Sequence, residues 1–273
     1  MKISEVKVFV VESFVYVKIV TEDGLYGIGE ASLSGRSHAV VGAFEHLTPL
    51  LIGQDATRIE HIWQDIFRGT FWRGGPVLQS ALAGVDIALW DLAGKALGVP
   101  TYRLLGGAAR DKVLLYRHAG GGTPEETAQR CREKVDEGWR VLRLSPIRCD
   151  GPFDPKTVVG RGIALCNGIE QYQPFYVEDP IRSENPASFR TLRNHTNVPL
   201  GTGEQLPTKW AFRELIEEEL IDYIRVDICH TGGITEGKKI AAMAEVHYQE
   251  LACHFTASPV STAAMLHLNR TVR

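Results

Sequence analysis

The sequence predicts an α/β protein in two parts: an α+β unit over residues 1–110, then alternating strands and helices over residues 111–273. Three observations carry this prediction. The chain opens with short runs rich in Val, Ile and Phe, broken by a turn dipeptide, and then changes to helical spacing. After Arg110 strand and helix patterns take turns, which implies a parallel sheet or an α/β barrel. Four polar residues in the second part, Glu178, Glu204, Asp227 and His254, each close a short apolar run, and the gaps between them are about one βα unit long.

Taken in order, residues 3–11 and 14–21 read as strands. Asp23-Gly24 supplies a turn, and Leu25–Glu30 reads as a third strand of an antiparallel meander. The glycines at 24, 27 and 29 do not spell Gly-x-Gly-x-x-Gly and carry no dinucleotide signal. Helices are expected over His38–Leu51, Ile59–Phe67 and Val77–Leu97. The last has Ala81, Val85, Ala88, Leu89 and Leu92 on one face and ends at Gly98-Val-Pro100.

In the second part Lys112–His118 and Trp139–Leu144 read as strands, with a helix between them that opens on Thr123-Pro-Glu-Glu. Thr supplies the cap, Pro fits the first turn, and the acids sit at the positive end of the helix dipole. A helical pattern spans Val158–Tyr172. Strands then close at Glu178, Glu204, Asp227 and His254, each followed by a helix: near Pro186–Thr196, Lys209–Glu219, Ile234–Tyr248 and Val260–Leu268. That makes six strands. A complete barrel has eight and takes ~250 residues.

Composition narrows the function. Apolar residues make up 44% and charged residues 23%, as in soluble globular proteins. A net charge of −3 and the lack of a basic cluster interleaved with aromatics argue against nucleic-acid and membrane partners. The charges at Lys2, Glu5, Lys7, Glu12 and Lys18 exclude a signal peptide or membrane helix at the start. Cys131, Cys149, Cys166, Cys229 and Cys253 form no Cys-x-x-Cys pair and are odd in number. A zinc ribbon or disulfide framework is therefore not expected, and a reducing, cytoplasmic location is.

Parallel strands joined by helices place their C-terminal ends on one face. Two carboxylates, a third acid and a histidine on that face suggest a metal site beside a proton-transfer pair. Each residue also has a plainer reading. Glu178 before Asp-Pro fits a solvated loop acid, Asp227 fits a cap for the helix that follows, and His254 fits a hydrogen-bonded core histidine. His118 ends a strand and is either a substrate contact or a satisfied strand-end group. Trp72 and Arg73, in Phe71-Trp-Arg-Gly-Gly75, are either pocket residues or helix packing.

Several segments, in order, resemble the enolase superfamily in its mandelate racemase and acid-sugar (galactonate- or mannonate-type) dehydratase branch. They are Asp23-Gly-Leu-Tyr-Gly-Ile-Gly-Glu30, Ser80-Ala-Leu-Ala-Gly-Val-Asp-Ile-Ala-Leu-Trp-Asp-Leu-Ala-Gly-Lys95 and Leu104-Leu105-Gly106-Gly107. Further along come Tyr176-Val-Glu-Asp-Pro180, Gly203-Glu204 and Asp227-Ile-Cys-His-Thr-Gly-Gly-Ile-Thr-Glu236. The resemblance implies an α+β capping domain (1–110) on a modified TIM-type (β/α) barrel (111–273). It also implies a magnesium ion (Mg2+) held by Glu178 and Glu204, with His254 as general base and Asp227 orienting it. Arg143 stands where many relatives place a lysine base. An arginine stays protonated, so lysine-base chemistry is disfavoured and an anion or carboxylate contact is expected instead. Arg143, His118, Trp72 and Arg73 are the expected substrate contacts, and His230 is expected to be structural.

The pattern breaks between Leu144 and Phe175, where one βα unit and the family's first metal-ligand Asp are not found, and again before an eighth strand. Asp150 and Asp154 read as loop acids. Missing segments of a longer parent and a natural truncation are the two explanations. The first is expected, since dropping a unit leaves open edges. The implied function is Mg2+-dependent dehydration of a sugar acid (aldonate), a lyase reaction on a small molecule in a homo-oligomer. The alternatives are a racemase or epimerase of a 2-hydroxy acid on the same scaffold, or a degenerate non-catalytic homologue.

Overall fold

A computed structural model describes residues 1–145, 158–254 and 258–272. Asp150, Asp154 and Cys149 lie outside the described residues.

The first part is an antiparallel meander of β1 (Ile3–Val11), β2 (Phe14–Thr21) and β3 (Tyr26–Glu30), in the order β1-β2-β3. Strand β2 alternates as a half-buried strand should: Val15, Val17, Ile19 and Thr21 point inward. That face is covered by α1 (Ser37–Leu51), α2 (Ile59–Arg68) and α3 (Pro76–Leu97). The glycines of β3 now have a reason. A Cβ at Gly29 would stand 2.0 Å from the Gly84 carbonyl oxygen, and one at Gly27 would stand 1.9 Å from that of Ala88. Strand β3 lies directly on the backbone of α3, and only glycine permits the approach.

Helix α3 ends where Gly98 turns left-handed with φ 64°, followed by Pro100. It is long and apolar enough to cross a membrane by length and composition, yet 72% of its most apolar stretch is buried inside the protein. It is a core helix shared by both parts. Ala81, Val85 and Ala88 join the cap core, Leu82 packs with Trp63 and Phe67, and Ile87 enters the second core.

The second part contains β4 (Tyr116–His118), β5 (Val141–Arg143), β6 (Val177–Glu178), β7 (Leu200–Thr202), β8 (Tyr223–Ile224) and β9 (Glu250–Leu251). Among the described residues all pairings in this part are parallel, in two sheets: β4-β5 and β6-β7-β8-β9. The break falls between β5 and β6, where the sequence lacked a βα unit. The connecting helices are α4 (Thr101–Leu104), α5 (Pro124–Asp136), α6 (Val159–Ile169), α7 (Pro186–Arg193), α8 (Lys209–Glu217), α9 (Gly233–Val246) and α10 (Pro259–Asn269). Thr123 caps α5 as expected, its side chain accepting from the Glu126 amide at 3.2 Å. Strand β4 is shorter than Lys112–His118: Leu114 and Leu115 are exposed, so only its last three residues find a partner strand.

Candidate active site

Glu178 is the last residue of β6, and its carboxylate is held from two sides. Arg225 donates to Oε1 at 2.7 Å, and Arg143 Nε lies 2.7 Å from Oε2. Burial pushes the Glu178 carboxyl up, but the two guanidinium charges outweigh it and hold the group below its ordinary value. Arg225 is itself fully buried. It also donates to the Tyr116 hydroxyl at 3.1 Å and to the carbonyls of Ala252 and Cys253 at 2.8 and 3.1 Å.

A second acid stands beside the first. Asp179, Glu178 and Glu204 each present an oxygen, all within 4.8 Å of one another. Asp179 takes φ 45°, and its Oδ1 accepts from Thr202 at 2.5 Å, which turns the side chain back toward β7. Three carboxylates are a hard-oxygen donor set, suited to a divalent cation that keeps some of its waters. Glu204 comes from the loop after β7, where Gly203 takes φ 134° against the Phe212 ring.

His254 links this cluster to Asp227. Its Nδ1 lies 2.9 Å from Asp227 Oδ2 and its Nε2 lies 3.0 Å from Glu204 Oε2, with the residue 8% exposed. Asp227 is fixed in turn: Oδ1 accepts from the Cys229 amide at 2.8 Å, and His230 Nδ1 lies 3.5 Å from Oδ2. Held through Nδ1 by a carboxylate, the imidazole presents Nε2 toward the acid cluster.

The structure therefore brings together Glu178, Glu204, Asp227, His254 and Arg143. It adds His118, whose Nε2 is 3.4 Å from Arg143 Nη1. Burial, with the neighbouring Arg143 cation, pushes the His118 imidazole down. Trp72 and Arg73 are not joined to this group. Trp72 is 81% exposed and packs edge-on against Phe71, and among the described residues Arg73 bonds to carbonyls of Arg68 and Thr70. A cavity of about 380 Å³ lies elsewhere, between α3 and α10, lined by Ile87, Asp91, Lys95, Ala264 and His267 among others. None of the strand-end acids lines it.

Two residues escaped the sequence reading. Asp179 is adjacent to Glu178, so strand alternation points it away, and only its left-handed backbone returns it to the cluster. Arg225 was legible. It stands two residues before Asp227 in Tyr-Ile-Arg-Val-Asp, on the same strand face, and an arginine on a core-facing position needs a partner.

A meander-and-helix cap that shares helix α3 with a second part of parallel strand–helix units, with acids and a histidine clustered at the strand ends, defines an enolase-type protein. Comparison with known proteins agrees. The pattern of the mandelate racemase / muconate lactonizing enzyme N-terminal domain matches residues 4–106, and the enolase C-terminal domain-like pattern matches residues 119–273. The chain belongs to the mandelate racemase / muconate lactonizing enzyme family.

It is 39% identical to a D-mannonate dehydratase of Caulobacter vibrioides, over 100% of this chain and 82% of that protein. It is 35% identical to a D-galactonate dehydratase of Pectobacterium atrosepticum, over 95% and 76%. The first alignment spans 332 positions, more than the 273 residues of this chain, so that relative carries internal segments this chain lacks. A solved structure of an enolase from Pantoea ananatis with D-gluconate and Mg bound superposes with a TM-score of 0.92 at 32% identity, over 99% of this chain and 82% of that one.

Proposed function

We propose that this chain is an acid-sugar dehydratase: it removes the proton α to the carboxylate of an aldonate and expels the β-hydroxyl as water, leaving a 2-keto-3-deoxy acid. The observation that carries this reading is His254 Nε2 at 3.0 Å from Glu204 Oε2, which sets a candidate base against the edge of a three-carboxylate cluster. The dehydratases of mannonate and galactonate among its relatives support the substrate class.

In this reading Glu178, Glu204 and Asp179 would hold Mg2+. The bound ion supplies positive charge beside the substrate carboxylate, which makes the α-proton more acidic. The chain's own groups do the rest. His254 takes the proton at Nε2 while Asp227 holds Nδ1 and stabilises the charge that the ring gains; the protonated ring then gives that proton to the departing β-hydroxyl, which leaves as water, and the enol left behind tautomerises to the keto acid. Arg143 and His118, on neighbouring strand ends, face the same space and fit contacts to the acid's oxygens. Arg143 is already paired with Glu178, so its role is to place that carboxylate as much as to meet a substrate. Trp72 and Arg73 would approach substrate only by movement of their loop. The domains divide at residues 110/111, and a cytoplasmic homo-oligomer completes the proposal.

The test is a library of aldonates, including D-mannonate, D-galactonate and D-gluconate, incubated with protein and Mg2+ in D2O. Keto-acid formation is the expected result. Deuterium exchange into recovered substrate without keto acid would move the reading to a racemase or epimerase. No turnover together with no Mg2+ binding in calorimetry would replace it with a non-catalytic homologue.

A further inference from the structure

The cap reaches the segments that follow Glu204, Asp227 and His254 through its own polar side chains. After Glu204, the Pro207 carbonyl accepts from Gln79 Nε2 of α3 at 2.8 Å. After Asp227, the Gly232 carbonyl accepts from Trp63 Nε1 of α2 at 2.7 Å, and the Thr235 amide donates to Asp86 Oδ2 of α3 at 3.0 Å. After His254, the Ser258 hydroxyl and Ser261 amide donate to Glu30 Oε2 of β3 at 2.5 and 2.9 Å, and the Ser258 amide donates to Oε1 at 3.3 Å.

Two of these contacts share one design. Asp227 and His254 each precede a barrel helix, α9 and α10, and the first turn of each helix is held by a carboxylate from the cap. A helix N-terminus carries unpaired amides and partial positive charge, so a buried carboxylate there is a strong anchor. Both acids are buried: Glu30 is 0% exposed and Asp86 is 1% exposed. The fit at Asp86 is close. Gly233, at φ 91°, would place a Cβ only 2.3 Å from Asp86 Oδ2, so the helix start is built around that oxygen. Ser32 braces Glu30 from behind, donating to Oε1 at 2.7 Å.

We propose that Glu30 and Asp86 are positioning residues which, from the cap, set the separation of His254 and Asp227 by clamping the helices that follow them. Neither acid touches the pair. Each holds the first turn of the helix that follows one member of the pair, and the two strands that precede the pair, β8 and β9, are neighbours. The cap thereby determines whether the imidazole and the carboxylate meet at hydrogen-bond distance. The proposal rests on the dyad reading of the proposed function.

The test compares Glu30→Ala and Asp86→Ala with Glu60→Gln, which breaks the exposed ion pair between Glu60 of α2 and Lys239 of α9 at the same cap–barrel boundary. Both alanine variants are expected to lower kcat, on the order of ten- to a hundredfold, because a small misplacement of a catalytic group costs that much. KM and the Mg2+ dissociation constant should stay near their wild-type values. Glu30→Gln and Asp86→Asn each keep an acceptor oxygen and should recover most of kcat, and Glu60→Gln should match the wild type.

Nitrogen-15 NMR of the His254 ring reads the same displacement without turnover. Its signals should move in the alanine variants and stay in place in Glu60→Gln. A wild-type chain without turnover would sink the dehydratase reading, while the NMR comparison still decides this one. Wild-type ring signals in both folded alanine variants would overturn the proposal, as would an equal loss in Glu60→Gln. If the alanine variants do not fold, Ser258→Ala, Glu30→Asp and Asp86→Ser, which withdraw a donor or the carboxylate from the clamp, take their place, and unmoved ring signals in all three would overturn it.

Discussion

His254 and Asp227 meet at 2.9 Å between Nδ1 and Oδ2, each three residues beyond one of the neighbouring strands β9 and β8. Asp227 reaches that point already committed, with its other oxygen on the Cys229 amide. The pair is one unit: the backbone aims the carboxylate, and the carboxylate aims the ring.

His254→Asn is therefore expected to lower kcat about 10²–10⁴-fold, the usual worth of a positioned general base. Asp227→Ala should fall in the same range, because the ring loses its orienting partner. It should also speed hydrogen exchange at the Cys229 amide, which loses its acceptor. Steady-state kinetics on the aldonate found by screening checks the first effect and exchange mass spectrometry the second. Wild-type kcat in either variant would remove the pair from the chemistry.

Arg225 and Glu178 form a pair with little access to water, at 1% and 11% side-chain exposure. Removing one partner of such a pair leaves an uncompensated buried charge, so Arg225→Met is expected to cost about 3–5 kcal/mol. The double variant with Glu178→Gln should recover part of it. Glu178 is held below the ordinary glutamate value in the folded protein, so its contribution is fully present above that value and fades as pH falls through the folded value. Urea unfolding should show the gap between wild type and Arg225→Met narrowing toward acid pH.

Asp86 has the opposite sign. Burial pushes its carboxyl up from 3.8 to about 7, against the Thr235 and Ile234 amides and the more distant Lys239, which favour the charged form. Its Oδ1 has no hydrogen-bond partner among the described residues. A raised carboxyl is stabilising below its unfolded value, and that contribution is lost as pH rises toward 7, on the order of a few kcal/mol across the window. Asp86→Asn lacks this titration. Its melting temperature relative to wild type should rise between pH 5 and pH 8, and a constant difference would show that Asp86 stays charged throughout.

Much of the architecture was legible in the chain. The meander followed from β-branched runs and Asp23-Gly24, and α5 from its Thr123-Pro cap. The site was legible in its frame, because strand periodicity and βα spacing place Glu178, Glu204, Asp227 and His254 at successive strand ends. Local pattern could not show that Asp179 turns back to the cluster, since its direction depends on a left-handed backbone and a bond to Thr202. Nor could it show that, among the described residues, β4 pairs only from Tyr116 to His118 and leaves Leu114 and Leu115 outside it, because pairing is a property of two segments and not of one.

By itself, the sequence determined the order of elements, the family pattern and which residue types stand at the strand ends. These depend on short-range spacing and propensity, which the chain carries wherever it goes. Tertiary structure alone decided the distances. Glu178 sits between Arg143 and Arg225, His254 between Asp227 and Glu204, and Glu30 and Asp86 on the helices beyond. Each of these contacts joins residues far apart in the chain, and only packing the cap on the barrel brings the last two within reach.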